Sequence, residues 1–210
     1  MTAAAPVAIP RSVLSFDEET HTYSASGRVV PSVTQVIKAA FGDLVWPWAN
    51  EFALERGSKV HKALHYWILG DLDAKSLSPY IAGYVAAGIR FLTESGFEIA
   101  RRGDELATEV RMFSPAYDFA GTADLFGTVN RRRACVDFKT GEPGWAAGPQ
   151  TWAYTEMWQE ETGEVIRDRY ALRLSEDGTY QLIPYKDHRN DQADFLAALR
   201  VWQRRKVLTT

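Results

Sequence analysis

The chain has 210 residues, 46% hydrophobic and 24% charged, with a formal net charge of −3. That profile belongs to a chain that folds around an ordinary core and not to a disordered one, and the charge argues against a protein that coats nucleic acid by bulk charge alone. A lone cysteine, Cys135, excludes an internal disulfide and any zinc or iron–sulfur site built from several thiolates of one chain.

Residues 1–12, rich in Ala and Pro, read as a flexible tail, and 13–210 as a single domain. The first positive side chain, Arg11, follows the apolar stretch, the wrong order for a secretory signal. No apolar run approaches the roughly 18 residues needed to cross a bilayer. The expectation is therefore a cytoplasmic protein with no membrane partner. Ser24-Ala25-Ser26-Gly27 lies between two β-prone pieces and predicts a small hairpin. Pro31-Ser32 precedes a short helix through Val33, Val36 and Ile37. Trp46-Pro47-Trp48 marks a loop. The spacing of Phe52, Val60, Leu64, Trp67 and Ile68 predicts a helix over 49–69, with an interruption at Gly57 and a stop at Gly70. Ser78-Pro79 is an N-cap followed by proline at the first helical position, and that helix runs to Ser95.

Beyond Gly96 the pattern changes. Segments 97–101, 106–113, 119–129 and 134–139 read as successive strands joined by short turns. Helical spacing returns over 150–162 and closes at Gly163. Segments 169–174 and 180–185 form a hairpin around Glu176-Asp177-Gly178, and a final amphipathic helix over 190–206 carries Phe195, Leu196, Leu199 and Trp202. The order predicts an α/β fold with a central mixed sheet flanked by helices. Basic clusters at Arg101-Arg102, Arg131-Arg132-Arg133 and Arg200 to Lys206 are solvated surface or local contacts to a polyanion.

Gly121-Thr122-Ala123-Asp124-Leu125 and Val136-Asp137-Phe138-Lys139-Thr140-Gly141 carry the chemistry. Strand side chains alternate, so Asp137 and Lys139 share a face. With a turn on Arg131-Arg132, residue 124 pairs with 139 and 126 with 137, which adds Asp124 to that face. An ion pair needs one carboxylate per lysine; the second leaves negative charge for a divalent cation. Oxygen ligands without thiolates favour Mg²⁺ or Mn²⁺ over zinc.

These two segments resemble the PD-(D/E)XK nuclease superfamily, in particular its RecB-type branch. Further elements fit in order. Arg56-Gly57-Ser58-Lys59-Val60-His61 resembles the branch's helical motif, Glu109 stands where the branch often has an acidic residue, and Gln150 and Tyr154 match its Gln-x-x-x-Tyr helix. The matched stretch runs over 56–154. The cysteines that hold an iron–sulfur cluster in some relatives are absent.

The resemblance implies a restriction-endonuclease-like core. It implies that His61, Asp124, Asp137 and the Phe138 carbonyl, with Glu109, hold one or two Mg²⁺ or Mn²⁺ ions, that Lys139 serves the attacking water or the charged transition state, and that Gln150 and Tyr154 assist. The implied activity is a DNA exonuclease acting on single- or double-stranded substrates, leaving 5′-phosphate ends in recombination, repair or phage DNA processing, with a recombination or single-strand-binding protein as partner. Alternatives are a structure-specific endonuclease and a non-catalytic nucleic-acid-binding module on the same fold. Arg56, Arg131, Arg132 and Trp145 are candidate DNA contacts, aromatic rings in loops being able to stack on bases or to fill the core. His65 reads as structural, since Lys62 breaks any His-Glu-x-x-His zinc pattern.

Overall fold

Three short strands, β1 (Leu14–Asp17), β2 (Thr22–Ala25) and β3 (Arg28–Val30), form an antiparallel sheet at the start of the computed structural model, which describes residues 14–42 and 50–209. Ser26 and Gly27, both at positive φ, make the two-residue turn between β2 and β3. Helix α1 (Val33–Phe41) starts at a capping box between Ser32 and Gln35. Asn50 caps α2 (Glu51–Leu69) and Gly70 ends it in the left-handed conformation. The helix continues through Gly57, where the sequence predicted an interruption. A glycine there costs about 1 kcal/mol, which the burial of Val60, Ala63 and Leu64 offsets. Ser78 caps α3 (Pro79–Glu94) as its spacing predicts. The expected tail over 1–12 and the Trp46-Pro47-Trp48 loop lie outside the described residues.

Strands β4 (Glu98–Ile99), β5 (Arg101–Arg102), β6 (Glu105–Leu106) and β7 (Thr108–Ser114) replace the two longer strands expected before residue 114. The β5–β6 pair stands apart as a two-stranded finger turning at Gly103. Next come β8 (Phe119–Val129), β9 (Arg132–Lys139), α4 (Ala147–Thr162), β10 (Asp168–Leu174), β11 (Tyr180–Pro184) and α5 (His188–Thr209). The main sheet runs β11-β10-β9-β8-β4, with β7 also along β8. Only the β9–β10 pair is parallel, and α4 makes its crossover. The fold is the expected α/β class with a mixed sheet between helices. Among the described residues no helix is long and apolar enough to cross a membrane.

Turn chemistry corrects the expected register of β8 and β9. The chain reverses on Asn130 and Arg131, at φ 49° and 65°, rather than on Arg131-Arg132. Asn tolerates this conformation, and two residues at positive φ match the twist of a tight hairpin. Leu125 therefore pairs with Val136 and Phe126 with Cys135. The shift is an even number of residues, which by itself leaves strand parity unchanged.

Core packing occurs on both sides of the sheet. Leu64, Val85, Phe91, Leu125, Val136 and Leu172 pack on the α2–α3 side, and Phe119, Phe126, Trp152, Trp158 and Phe195 on the α4–α5 side. Helix α4 is buried almost all round, from Ala147 to Thr155 without a break. Its first turn is tied down by Arg169 on β10, whose side chain is fully buried. Nη1 donates to the Gly148 carbonyl at 2.7 Å and Nη2 to Asp191 Oδ2 of α5 at 2.6 Å. A Cβ at Gly148 would run into the Asp191 carboxylate, which Arg169 holds in place.

Candidate metal centre and active site

Three neighbouring strands place three carboxylates in one row. Extending the β7–β8 register puts Glu109 opposite Asp124, and extending the β8–β9 register puts Asp124 opposite Asp137. The ladders break at this row. Thr108–Leu125 and Val110–Ala123 pair on either side of it, and the β8–β9 pairing ends at Leu125–Val136. Glu109 adopts φ 47°, which costs a non-glycine residue about 1 kcal/mol or more and so requires compensation nearby. On β8 the facing also shifts. Ala123 and Phe126 pack on the α4–α5 side, whereas Leu125 packs on the α2–α3 side. Asp124 occupies the break, with Oδ2 accepting a 2.6 Å hydrogen bond from the Phe138 main-chain N–H. The carboxylate thus satisfies a donor that the opened ladder leaves without a strand partner.

Helices reach this row from both faces of the sheet. From α2, His61 brings Nδ1 to 3.0 Å from Asp124 Oδ1, its ring edge-on to Phe138. At the end of β9, Lys139 Nζ lies 2.6 Å from Asp137 Oδ2 and donates to Gln150 Oε1 at 3.1 Å. Gln150 Nε2 in turn donates to the Tyr154 hydroxyl at 3.0 Å. The four-residue spacing on α4 puts both on one face, and both are buried.

Charge balance sets the chemistry. Burial would depress the His61 pKa, but Asp124 against it, with Glu109 and Asp137 nearby, raises it to about 9. Burial together with the Asp124 charge lifts Glu109 to about 7, against the opposing pull of His61 and Arg111. Burial also raises Asp137, partly countered by Lys139. Three carboxylates face one imidazolium and one ammonium, so the cluster holds protons in order to limit its negative charge. A divalent cation would replace those protons. The donor set suits one, since ligand atoms of His61, Glu109 and Asp124 all lie within 4.8 Å of one another.

Cation loading is therefore expected to release about one proton at pH 8, mainly from His61. Titration calorimetry in buffers of different ionisation heat measures it, and zero release would remove His61 from the ligand set. Without the cation, stability should fall as pH rises. Glu109's contribution is complete below 4.5 and lost through about 7. That of His61 is complete below 6.5 and lost through about 9. Saturating divalent cation should abolish this decline.

Other residues singled out by sequence lie elsewhere. Arg56 donates to the Thr140 carbonyl at 2.8 Å and lays its guanidinium over Tyr84, so it holds the segment following Lys139 in place. Trp145 is 43% exposed on the loop between Lys139 and Gln150, edge-on to Phe41. Arg131 and Arg132 sit at the far end of the hairpin, roughly 17 Å along the strand from Asp137, and Arg132 pairs with Asp168. His65 donates to or accepts from Thr108 Oγ1 at 3.2 Å, and Cys135 is a buried free thiol.

Two tyrosines escaped the sequence reading. Tyr23 shares a 2.6 Å hydrogen bond with Thr122 Oγ1, tying the small sheet to the Gly121–Asp124 segment. Tyr185 donates to the Gly144 carbonyl, and burial and the charge of Asp137 push its pKa up to about 12. Only the neighbourhood of Thr122 to Asp124 hinted at the first; nothing local marks the second.

No protein-family model and no curated protein matches this sequence. A crystal structure from Eubacterium rectale, named "Putative exonuclease", superposes with a TM-score of 0.52. It shares 16% identity, over 84% of this chain and 79% of that chain. At that identity the likeness establishes the fold.

Proposed function

We propose that the chain is a single-domain, Mg²⁺- or Mn²⁺-dependent deoxyribonuclease that hydrolyses DNA from strand ends. The observation that carries this reading is the row Glu109–Asp124–Asp137 across three adjacent strands, with His61 against its middle and Lys139 against its end. The similarity in fold to a protein named as an exonuclease, and the resemblance of the sequence motifs to RecB-type nucleases, support the same reaction class.

His61, Glu109, Asp124, Asp137 and the Phe138 carbonyl would hold the cation. When bound, it supplies Lewis-acid chemistry, polarising a phosphate and acidifying a water. Lys139 holds its ammonium beside Asp137, where it orients the attacking water and offsets charge that builds on the phosphate oxygens. Gln150 fixes that ammonium through Oε1, and Tyr154 fixes Gln150. Water adds to phosphorus and the P–O3′ bond breaks, giving a 3′-hydroxyl and a 5′-phosphate.

Incubation of the purified protein with end-labelled DNA and Mg²⁺ or Mn²⁺ tests this. Fragments with 5′-phosphates, abolished by a chelator and by Asp137→Ala, are expected. An unchanged rate in Asp137→Ala would overturn the mechanism.

A further inference from the structure

A cleft of about 590 Å³ opens beside Glu109, between the second half of α2, the β5–β6 finger and β7. Glu109 lines the cleft and also belongs to the group that could hold a metal, so the cleft adjoins that group. The volume lies within the roughly 300–1,000 Å³ of small-ligand sites. It is large enough for a single nucleotide.

Its walls suit a phosphate. Arg111 on β7 sets its guanidinium over Phe16, with Nη2 3.2 Å from Glu18. Arg102 donates through Nη1 to the Arg111 carbonyl at 3.0 Å and to Glu161 Oε2 of α4 at 3.2 Å, so it serves to hold Arg111 in place. Arg101 stands beside it on the finger, and the His65–Thr108 pair adds neutral hydrogen-bonding groups. These contacts orient the guanidinium planes before any ligand arrives, and a planar fork of donors matches phosphate oxygens. Two carboxylates follow the two arginines across the finger's turn. Asp104 and Glu105 line the cleft four or five residues before Glu109, at most roughly 17 Å away along an extended chain. A backbone continuing past the cleft would bring further phosphates against these carboxylates; a strand end brings none.

We propose that this cleft seats the terminal nucleotide of a DNA strand and so restricts cleavage to ends. The inference rests on the metal-dependent hydrolysis proposed above. Two arms of one experiment separate it from that reading. In the first, the full chain with Mg²⁺ is given a linear single strand and the same strand closed into a circle. The circle should resist, and Asp104→Asn with Glu105→Gln should raise the rate on it. On the linear strand Arg111→Gln should raise KM about tenfold with kcat little changed. In the second arm, deoxyadenosine monophosphate is titrated into the Mg²⁺-loaded protein, and Arg111→Gln should weaken binding about tenfold. Equal cleavage of circle and linear strand, or nucleotide binding unmoved by Arg111→Gln, overturns the cleft assignment. Absence of cleavage of either strand sinks the hydrolase reading, and the titration still decides the cleft.

Discussion

Replacing Lys139 with alanine is expected to lower kcat by about 10²–10³-fold, the effect of removing one preorganised electrostatic group from an active site, while the divalent cation binds as tightly as before or tighter. The split follows from the charges. Lys139 lies 2.6 Å from Asp137, whose side chain is 3% exposed. Removing the ammonium leaves that carboxylate with a proton or the metal as its counter-charge, so apparent metal affinity rises. A purely structural lysine would produce the opposite pattern, with weakened metal binding and a parallel loss of stability. Calorimetric titration of Mn²⁺ alongside single-turnover cleavage separates the two. Near-wild-type kcat in the Lys139→Ala protein would rule out its proposed role. Tyr154→Phe should cost far less, because Tyr154 reaches the lysine only through Gln150.

The second large effect is on folding. Arg169→Leu should destabilise the protein by about 3–5 kcal/mol, since it strands Asp191 near the core without its cation. For a chain of this length that lowers Tm on the order of 10 °C. Adding Asp191→Leu should recover much of the loss, because an apolar pair of similar volume avoids the desolvation of both charges. A double variant as unstable as the single would show that the Arg169 bond to the Gly148 carbonyl, and not the ion pair, holds α4 in place. Cleavage should fall along with stability in Arg169→Leu, because that bond fixes the first turn of α4, from which Gln150 reaches Lys139.

The β8–β9 pair shows where local reading succeeds. Alternation identified both strands, and the parity of Asp137 and Lys139 placed them on one face before any coordinates. The same pattern missed the turn by one residue, because Asn130-Arg131 and Arg131-Arg132 are both polar and only backbone strain chooses between them. Finger and row were harder. Segments 97–101 and 106–113 read as two ordinary strands, yet β5 and β6 leave the main sheet and pair with each other. Glu109 could be singled out by position in a motif, but its positive φ and the broken ladders beside it are properties of three strands together.

By itself the sequence determined the α/β class, most helix boundaries and the residue types gathered at the centre, since periodicity, capping and charge type act over a few neighbouring positions. Tertiary structure decided which of those residues meet. His61 and Asp124 lie 63 positions apart yet stand 3.0 Å apart, while Arg131 and Arg132, close to the motifs in sequence, end up at the far end of the hairpin. Arg56, inside a motif, is bonded to the Thr140 carbonyl, a role written only in the packing of α2 against the end of β9. Contacts of that kind depend on how elements cross in space, and no local rule of spacing contains that information.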